Sequence, residues 1–123
     1  MLNHITIMGR IGSEIELRKT GSGVSVASFT VACDRDFKNG GEKETDWIEC
    51  VAWRNTADFI SKYFAKGRMI IVSGRLQIRN WEDKEGKKHK TTEVVIDNAY
   101  FGDSKTEGQK FAPIDEPDEQ LPF

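Results

Sequence analysis

Apolar and polar residues alternate along most of this chain, and the alternation predicts a mostly β fold. Residues 4–11 and 24–34 are rich in Ile, Val, Thr and Phe, with a glycine-containing turn between them. In the second segment Phe29, Val31 and Cys33 share one parity, as expected for a half-buried strand. We predict two strands here, and a third short strand fits between them.

A third main strand is predicted from Asp46 to Arg54, and a helix follows it. Asn55 or Thr56 can cap the helix, Asp58 suits its first turn, and Gly67 is placed to end it. Four residues form the apolar stripe at helical spacing: Ala57, Ile60, Tyr63 and Phe64.

A long hairpin completes the ordered part of the sequence. Residues 69–81 form one strand, residues 82–88 a charged turn and residues 91–101 the returning strand. Five or so strands with one helix between the third and fourth is the element order of the OB-fold, a five-stranded Greek-key barrel. We therefore predict an all-β OB-fold domain with one helix over residues 1–102, although the order alone leaves other small barrels open.

Residues 103–123 differ sharply from the predicted domain. The alternation of apolar and polar residues ends here, three prolines occur and the composition becomes polar. These features predict a disordered linker and acidic tail. Six acidic side chains against two lysines give this segment a charge of -4, so the net charge of -2 leaves +2 on residues 1–102. Between Arg54 and Lys90, ten basic residues stand against four acidic ones, a local excess that can follow a polyanion.

The composition suits a soluble globular domain. The chain has 123 residues, 37% hydrophobic and 31% charged, which is enough for one domain with its own core. No apolar run reaches the length of a transmembrane helix, and the first residues lack the pattern of a secretory signal. We expect a cytoplasmic protein.

Catalytic and metal chemistry find little support in the sequence. Cys33 and Cys50 have no Cys-x-x-Cys spacing, which favours buried free thiols over a metal site or disulfide. His4 and His89 stand isolated, and nucleotide-binding glycine motifs are absent. The sequence predicts no enzyme, no metal and no cofactor.

The predicted strand that begins at Asp46 carries two tryptophans. Trp47 and Trp53 share one parity, while Ile48, Cys50 and Ala52 share the other. Because a barrel has one interior, the smaller residues are predicted inside and both indoles outside, about 20 Å apart at roughly 3.3 Å per residue.

The long hairpin shows a similar division. Leu76 and Ile78 are predicted to point inward, and the alternating outward positions combine basic and aromatic residues: Arg75, Gln77, Arg79 and Trp81. Cations for phosphates and flat rings for unpaired bases are what sequence-tolerant binding of single strands requires.

Plainer interpretations of these residues stay open. A strand tryptophan is commonly a core or interface residue, although the three indoles together with the arginines favour base stacking. The ring of Phe37, in a polar loop, either serves such a role or folds back onto the barrel. Four lysines at the hairpin tip either contact phosphates or simply keep the tip solvated: Lys84, Lys87, Lys88 and Lys90.

The tail carries a second candidate function. It places acidic residues beside an apolar end, namely Asp118, Glu119, Leu121, Pro122 and Phe123. Such a peptide can insert its ring into an apolar pocket rimmed by basic groups while the acidic residues steer its approach. The alternative is a solubilising acidic tail, for which the apolar end is not required.

Several separated motifs resemble the bacterial single-stranded DNA-binding protein family across essentially the whole chain. They are Asn3 to Gly12, Thr45 to Trp53, Tyr63 to Gly67, Gly74 to Leu76, Arg79 to Trp81 and Thr92 to Val95. The resemblance implies base stacking on Trp47, Trp53, Trp81 and Phe37. It also implies homotetramers that wrap DNA at the nucleoid during replication, recombination and repair.

The tail both matches the family and departs from it. Its end resembles the family's acidic docking peptide for replication, recombination and repair proteins. The linker after Asp103 is short, roughly a dozen residues, and lacks the usual Gly, Gln and Pro, while Gln120 interrupts the acidic run. A short linker predicts a smaller reach for partners and altered cooperativity between tetramers, and it suggests a phage-borne or accessory copy.

Sequence-independent, non-enzymatic binding of single-stranded DNA is therefore the leading hypothesis. Two rivals remain, an OB-fold adaptor that binds protein and an RNA-binding OB-fold protein. In the leading hypothesis the phosphates are met by Arg54, Arg75, Arg79, Lys84, Lys87, Lys88 and Lys90.

Overall fold

The computed structural model describes residues 1–36 and 40–103. Phe37 and the predicted docking residues lie outside these ranges: Asp118, Glu119, Leu121, Pro122 and Phe123. The described part contains β1 (Ile5–Ile11), β2 (Glu16–Lys19), β3 (Ser25–Asp34), β4 (Thr45–Trp53), α1 (Arg54–Tyr63), β5 (Met69–Glu82) and β6 (Lys88–Phe101).

Five of the strands close into a barrel, as the sequence predicted. Neighbouring strands follow the order β1, β5, β6, β4 and β3, and β1 also pairs with β3, which completes the ring. The short β2 is added to the free side of β3. All these pairs are antiparallel except β4 with β6, which run parallel. The predicted OB-fold is confirmed.

The barrel interior is filled by one parity of each strand. Phe29 and Val31 of β3, with Cys50 and Ala52 of β4, are buried as predicted. Burial raises the pKa of the Cys50 thiol to about 12, so this thiol is inert at neutral pH. Cys33 is half-buried, and both thiols are free.

Helix α1 covers the barrel, but its ends differ from the sequence prediction. It begins at Arg54, directly after β4, so Trp53 is the N-cap residue and no side chain caps the helix. Thr56 lies inside the helix, where its Oγ1 donates to the carbonyl of Asp97 at 3.4 Å. With this start, Asp58 lies beyond the first turn. The predicted caps, Asn55 and Thr56, are therefore wrong.

The C-terminal end of α1 also lies earlier than predicted. The helix ends at Tyr63, and Gly67 belongs to the turn that follows, where its φ of 96° suits a glycine. Ile60 and Phe64 are buried as the stripe predicts, but Tyr63 is exposed. Its ring packs against Phe59 with centroids 5.2 Å apart, on the flank of the helix rather than beneath it.

The β5–β6 hairpin extends past the barrel wall. A register shift at Ser73 and Gly74 marks where it bends. Beyond it, Leu76 and Ile78 keep the predicted inward parity, but they are 40% and 58% exposed, so their inward direction does not bury them. The strand β1 pairs with β5 only as far as Gly74, so among the described strands none continues beside β5 past that residue. We call the hairpin segment beyond it, residues 75–93, the arm.

Candidate nucleic-acid interface

The strand registers join three strands into one continuous surface. Val51 of β4 pairs with Val95 of β6, and Val95 pairs with Arg75 of β5. Paired residues point to the same side of a sheet, and alternate residues keep to that side. The odd-numbered residues from 47 to 53, 75 to 81 and 89 to 95 therefore share one surface, which we call the outer face.

Trp47 is the most exposed of the three indoles, at 63%. It stands opposite Ala32 of β3, and its six-membered ring lies over Gly12. A Cβ on Gly12 would come within 2.6 Å of Trp47 Cζ3. Two small residues thus provide the space in which this ring lies against the barrel.

Trp53 ends β4 and is 43% exposed. The next residue, Arg54, has a φ of 60°, a left-handed conformation that is unfavourable for a residue with a side chain. This corner turns the chain from β4 straight into α1, so the indole and the exposed guanidinium are adjacent where the strand meets the helix.

Trp81 stands on the arm and is 41% exposed. Its Nε1 donates a hydrogen bond to Thr91 Oγ1 at 2.8 Å, which fixes the edge of the ring. One ring face is stacked on His89, its partner across the hairpin, with centroids 4.5 Å apart and planes at 21°. The indole is therefore held at its edge and on one face.

A buried carboxylate organises the arginine side of the outer face. Glu93 is only 8% exposed, and its Oε2 accepts from Gln77 Nε2 at 3.2 Å. The same oxygen lies 3.5 Å from Arg79 Nε. Half of the Arg79 side chain stays exposed, and Arg75 is exposed beside it. The pairing orients the Arg79 guanidinium without removing it from solvent.

Asp83 builds the turn at the tip of the arm. Its Oδ1 accepts the backbone N–H groups of Glu85 and Lys87 at 2.9 and 2.8 Å, and its Oδ2 lies 2.9 Å from His89 Nε2. The hydrogen bond with His89, followed by that from the Lys87 amide, holds the pKa of Asp83 below its ordinary value. The carboxylate thus stays ionised and fixes the orientation of the imidazole.

Ion pairs of Arg35 link the end of β3 to the start of β4. Arg35 Nε and one terminal nitrogen donate to the two carboxylate oxygens of Asp46 at 3.1 and 2.9 Å, and the other terminal nitrogen donates to Glu44 at 2.9 Å. The Arg35 hydrogen bond lowers the pKa of Asp46. This network joins the ends of β3 and β4 next to Trp47.

The structure brings most of the predicted interface together. Trp47, Trp53 and Trp81 all lie on the outer face. The predicted phosphate-binding residues are all exposed: Arg54, Arg75, Arg79, Lys84, Lys87, Lys88 and Lys90. They divide into a pair of arginines on the outer face, Arg54 at the helix corner and four lysines near the tip of the arm. Lys88 and Lys90 alternate with His89 along β6, so the structure places these two on the side of the hairpin opposite the outer face.

Sequence reasoning missed the residues that hold the indoles in place. His89 looked isolated because its neighbours, Asp83 and Trp81, are brought to it by the hairpin register. The predicted turn over residues 82–88 already lies between Trp81 and His89, so extending the returning strand back from residue 91 would have placed His89 opposite Trp81. Gly12 gave no sequence signal, since its contact with Trp47 joins β4 to the residue that follows β1.

Residues 1–36 and 40–103 contain no group of three or more His, Cys, Asp or Glu side chains arranged to hold a metal ion. The helix found in that part of the chain is too short and too polar to span a membrane.

A protein-family model matches this chain over nearly the whole predicted domain. The model of the single-strand binding protein family matches residues 2–102. "Single-stranded DNA-binding protein 3" of Listeria innocua is 44% identical over 109 residues, 88% of this chain and 68% of the relative. "Single-stranded DNA-binding protein 1" of Staphylococcus aureus is 46% identical over 110 residues, 89% of this chain and 66% of the relative. The matched part thus spans about two thirds of these relatives.

A solved structure shares the same barrel. The Plasmodium falciparum SSB in complex with ssDNA superposes with a TM-score of 0.76 at 31% sequence identity. The match covers 84% of this chain and 96% of the solved chain, so it includes nearly all of that barrel.

Proposed function

The chain belongs to the single-strand binding protein family, and we propose that it binds single-stranded DNA across its outer face, without sequence preference and without catalysis. The observation that carries the proposal is the set of three exposed tryptophans on one continuous sheet surface that also bears arginines. Every unpaired base offers a π-face to such rings, and each stacked base is worth about 1 to 3 kcal/mol.

We assign the bases to Trp47, Trp53 and Trp81, with Phe37 as a fourth ring on the strength of the sequence. Stacking needs an accessible ring face, and each of the three indoles is at least two fifths exposed. The phosphates are assigned to seven basic residues: Arg54, Arg75, Arg79, Lys84, Lys87, Lys88 and Lys90. Their exposure and local excess of positive charge suit a polyanion.

Titration with oligo(dT) tests the proposal directly. Bases stacked on indoles change their emission, so we expect strong quenching of tryptophan fluorescence that saturates with added oligo(dT). Trp53→Ala and Trp81→Ala should each lower the affinity by roughly 5- to 100-fold. Tyr63→Ala is the matched control, because it removes an exposed ring that lies on α1 rather than on the outer face.

The same titration separates the rival functions. Equal binding of duplex DNA, or emission unchanged at saturating oligo(dT), would contradict the proposal. Tighter binding of oligo(U) than oligo(dT) would favour an RNA-binding protein. Unchanged DNA affinity in both tryptophan variants would favour a protein adaptor whose indoles form an interface.

We further propose that the chain assembles as a homotetramer. Large apolar side chains stay exposed on β1 and on the arm, among them Met8, Leu76 and Ile78, and exposed apolar side chains suit contacts between chains. Light scattering should give the mass of four chains, and Ile78→Lys should lower it. A single-chain mass for the unaltered protein would contradict this assembly.

The acidic segment completes the proposed function. Asp118, Glu119, Leu121, Pro122 and Phe123 are proposed to dock replication, recombination and repair proteins, with the protein acting in the cytoplasm at the nucleoid. Removing Pro122 and Phe123 should abolish pull-down of such partners while oligo(dT) affinity stays equal or rises slightly. Retained pull-down would contradict the docking role.

A further inference from the structure

The outward residues of β3 form a shallow strip beside the indoles of β4. They pair with the odd-numbered residues of β4 from 47 to 53, so the strip continues the outer face on the side away from β6. None of the four is exposed, although they lie on the outside of the barrel, because their side chains are short: Val26, Ser28, Thr30 and Ala32. We call this strip the trough.

Arg10 of β1 lies across the trough from Trp47. Ala32 pairs with both residues, so the three side chains form one row on the same side of the sheet. Two strand spacings separate the ends of this row by about 10 Å. The six-membered ring of Trp47 lies over Gly12, two residues after Arg10. Arg10 is therefore on the side of Trp47 toward which the indole extends.

Arg18 of β2 repeats this arrangement opposite Trp53. Val26 pairs with both residues, so a second row runs from an exposed arginine to an indole across the trough. Trp47 and Trp53 are six positions apart on β4, which separates the two rows by about 20 Å at roughly 3.3 Å per residue. The same combination of cation and ring thus occurs twice, far enough apart to contact different nucleotides.

Both guanidinium groups are available to an anion. Neither takes part in an ion pair within the part of the chain that the structure describes. One terminal nitrogen of Arg10 donates to the carbonyl oxygen of Gly67 at 3.0 Å, which orients the group without neutralising it. Glu16 shares the outward side of β2 with Arg18, but it lies in the next row, paired with Ser28. Each arginine can therefore bind a phosphate beside a stacked base.

Resting on the proposed function, we propose that Arg10 and Arg18 are further DNA-binding residues, which bind phosphates on the β3 side of β4. The phosphate contacts assigned above come from β5, the arm and the helix corner, so they lie on the other side of β4 or at its end. Arg75 is also two strands from β4, in the row through Val95 and Val51. A single strand stacked on the β4 indoles is thus held by arginines on both sides.

Oligo(dT) titrations over a range of salt concentrations test this assignment. Arg10→Gln and Arg18→Gln should each lower the affinity several-fold at low salt. Each should also reduce the magnitude of the slope of log affinity against log salt by about 0.7, because one phosphate contact is lost. The two contacts together add about 1.4 to the magnitude that the seven residues assigned above would give.

Two lysine variants are the matched controls, because they also remove one positive charge each. Lys19→Gln alters the neighbour of Arg18 on β2, which points to the other side of the sheet. Lys66→Gln alters an exposed residue in the turn next to Gly67, outside the strands. Both variants should keep the slope of the unaltered protein.

A conservative replacement separates phosphate binding from support of the barrel. Arg10→Lys keeps the charge, so it should retain the slope that Arg10→Gln loses. An unchanged slope in either glutamine variant would overturn the assignment of that arginine. Equal losses in the lysine controls would overturn both assignments, since net charge alone would then explain them. Absence of oligo(dT) binding by the unaltered protein at every salt concentration would instead contradict the proposed function.

Discussion

Gly12 shows how a residue without a side chain can position one that is proposed to bind DNA. Its φ is not positive, so the position does not require the conformational freedom of glycine. The nearest atoms to an added Cβ all belong to the exposed indole of Trp47. What the position requires is empty space beneath a ring.

Replacing Gly12 by alanine should therefore affect binding more than stability. We expect Gly12→Ala to lower oligo(dT) affinity by about 5-fold, roughly 1 kcal/mol, because the displaced indole stacks less well. The free energy of unfolding should fall by less than about 1 kcal/mol, since an exposed ring can move aside. Fluorescence titration and urea unfolding measure the two effects.

A double-mutant cycle gives the control for this prediction. In a Trp47→Ala background the added methyl group meets no ring, so Gly12→Ala should leave DNA affinity unchanged. An equal loss of affinity in both backgrounds would show that Gly12 acts through something other than Trp47.

Arg54 combines a strained backbone with a proposed phosphate contact. Glycine accepts a φ of 60° readily, so Arg54→Gly should raise the free energy of unfolding by about 1 kcal/mol while DNA affinity falls. Arg54→Lys keeps both the charge and the strain and should change neither quantity much. Urea unfolding and oligo(dT) titration of both variants check this. Unchanged DNA affinity in Arg54→Gly would show that Arg54 does not contact DNA.

At the scale of single elements, the sequence period predicts strands and faces well but not their surroundings. Trp47 and Trp53 were correctly predicted to be exposed, because the opposite parity of β4 holds residues small enough for the interior. Leu76 and Ile78 follow the same rule yet are exposed. Alternation along a strand reports only which side a residue faces, whereas burial depends on whether another strand covers that side.

Helix α1 illustrates a second limit. Its buried stripe was predictable from Ile60 and Phe64, which recur at helical spacing. Its start was not, because Arg54 enters the helix from a left-handed conformation and Thr56 bonds to Asp97 of a strand distant in sequence. Capping rules assume local hydrogen bonds, and here tertiary contacts replace them.

The bend at Gly74 is the element on which the arm depends. A Cβ at this position would overlap the backbone carbonyl oxygen of Val95 in β6, and backbone cannot move aside as a side chain can. Gly74→Ala should therefore lower the free energy of unfolding by at least about 2 kcal/mol. Urea unfolding measures this, with Gly21→Ala as control because nothing lies within 4 Å of its added methyl group.

An unaltered unfolding midpoint in Gly74→Ala would show that β5 and β6 can separate locally at little cost. In that case the arm would be an independent hairpin rather than a continuation of the barrel wall.

At the scale of the whole molecule, the charge distribution matters more than the net charge. The net charge of -2 by itself argues against a polyanion partner. When the charge of the acidic segment is counted separately, the barrel is left with a positive charge, which suits such a partner. The order of elements also predicted the OB-fold, whereas the parallel pairing of β4 with β6 was beyond sequence reasoning. That pairing joins Glu49 to Glu93, a contact with no local sequence signal.

The dependence of DNA affinity on salt concentration reports how many of the basic residues contact phosphates. If all seven proposed phosphate contacts form, the slope of log affinity against log salt should be about -5, at roughly -0.7 per phosphate. Arg75→Gln should reduce its magnitude by about 0.7. Lys62→Gln, on α1, should leave it unchanged. A slope near zero would contradict the phosphate assignment.

The parallel pairing of β4 with β6 also bears on how the molecule folds. Four residue pairs form it, between Glu49–Ala52 and Glu93–Ile96. Because α1 and β5 lie between the two strands in the chain, this pairing can form only after both elements are in place. The β3–β4 and β5–β6 hairpins close short loops and can form early, whereas this seam carries the larger loop-closure cost. Because the seam separates Trp47 and Trp53 from Trp81, we expect a refolding chain to form its two hairpins and α1 before it brings the three proposed stacking rings onto one surface.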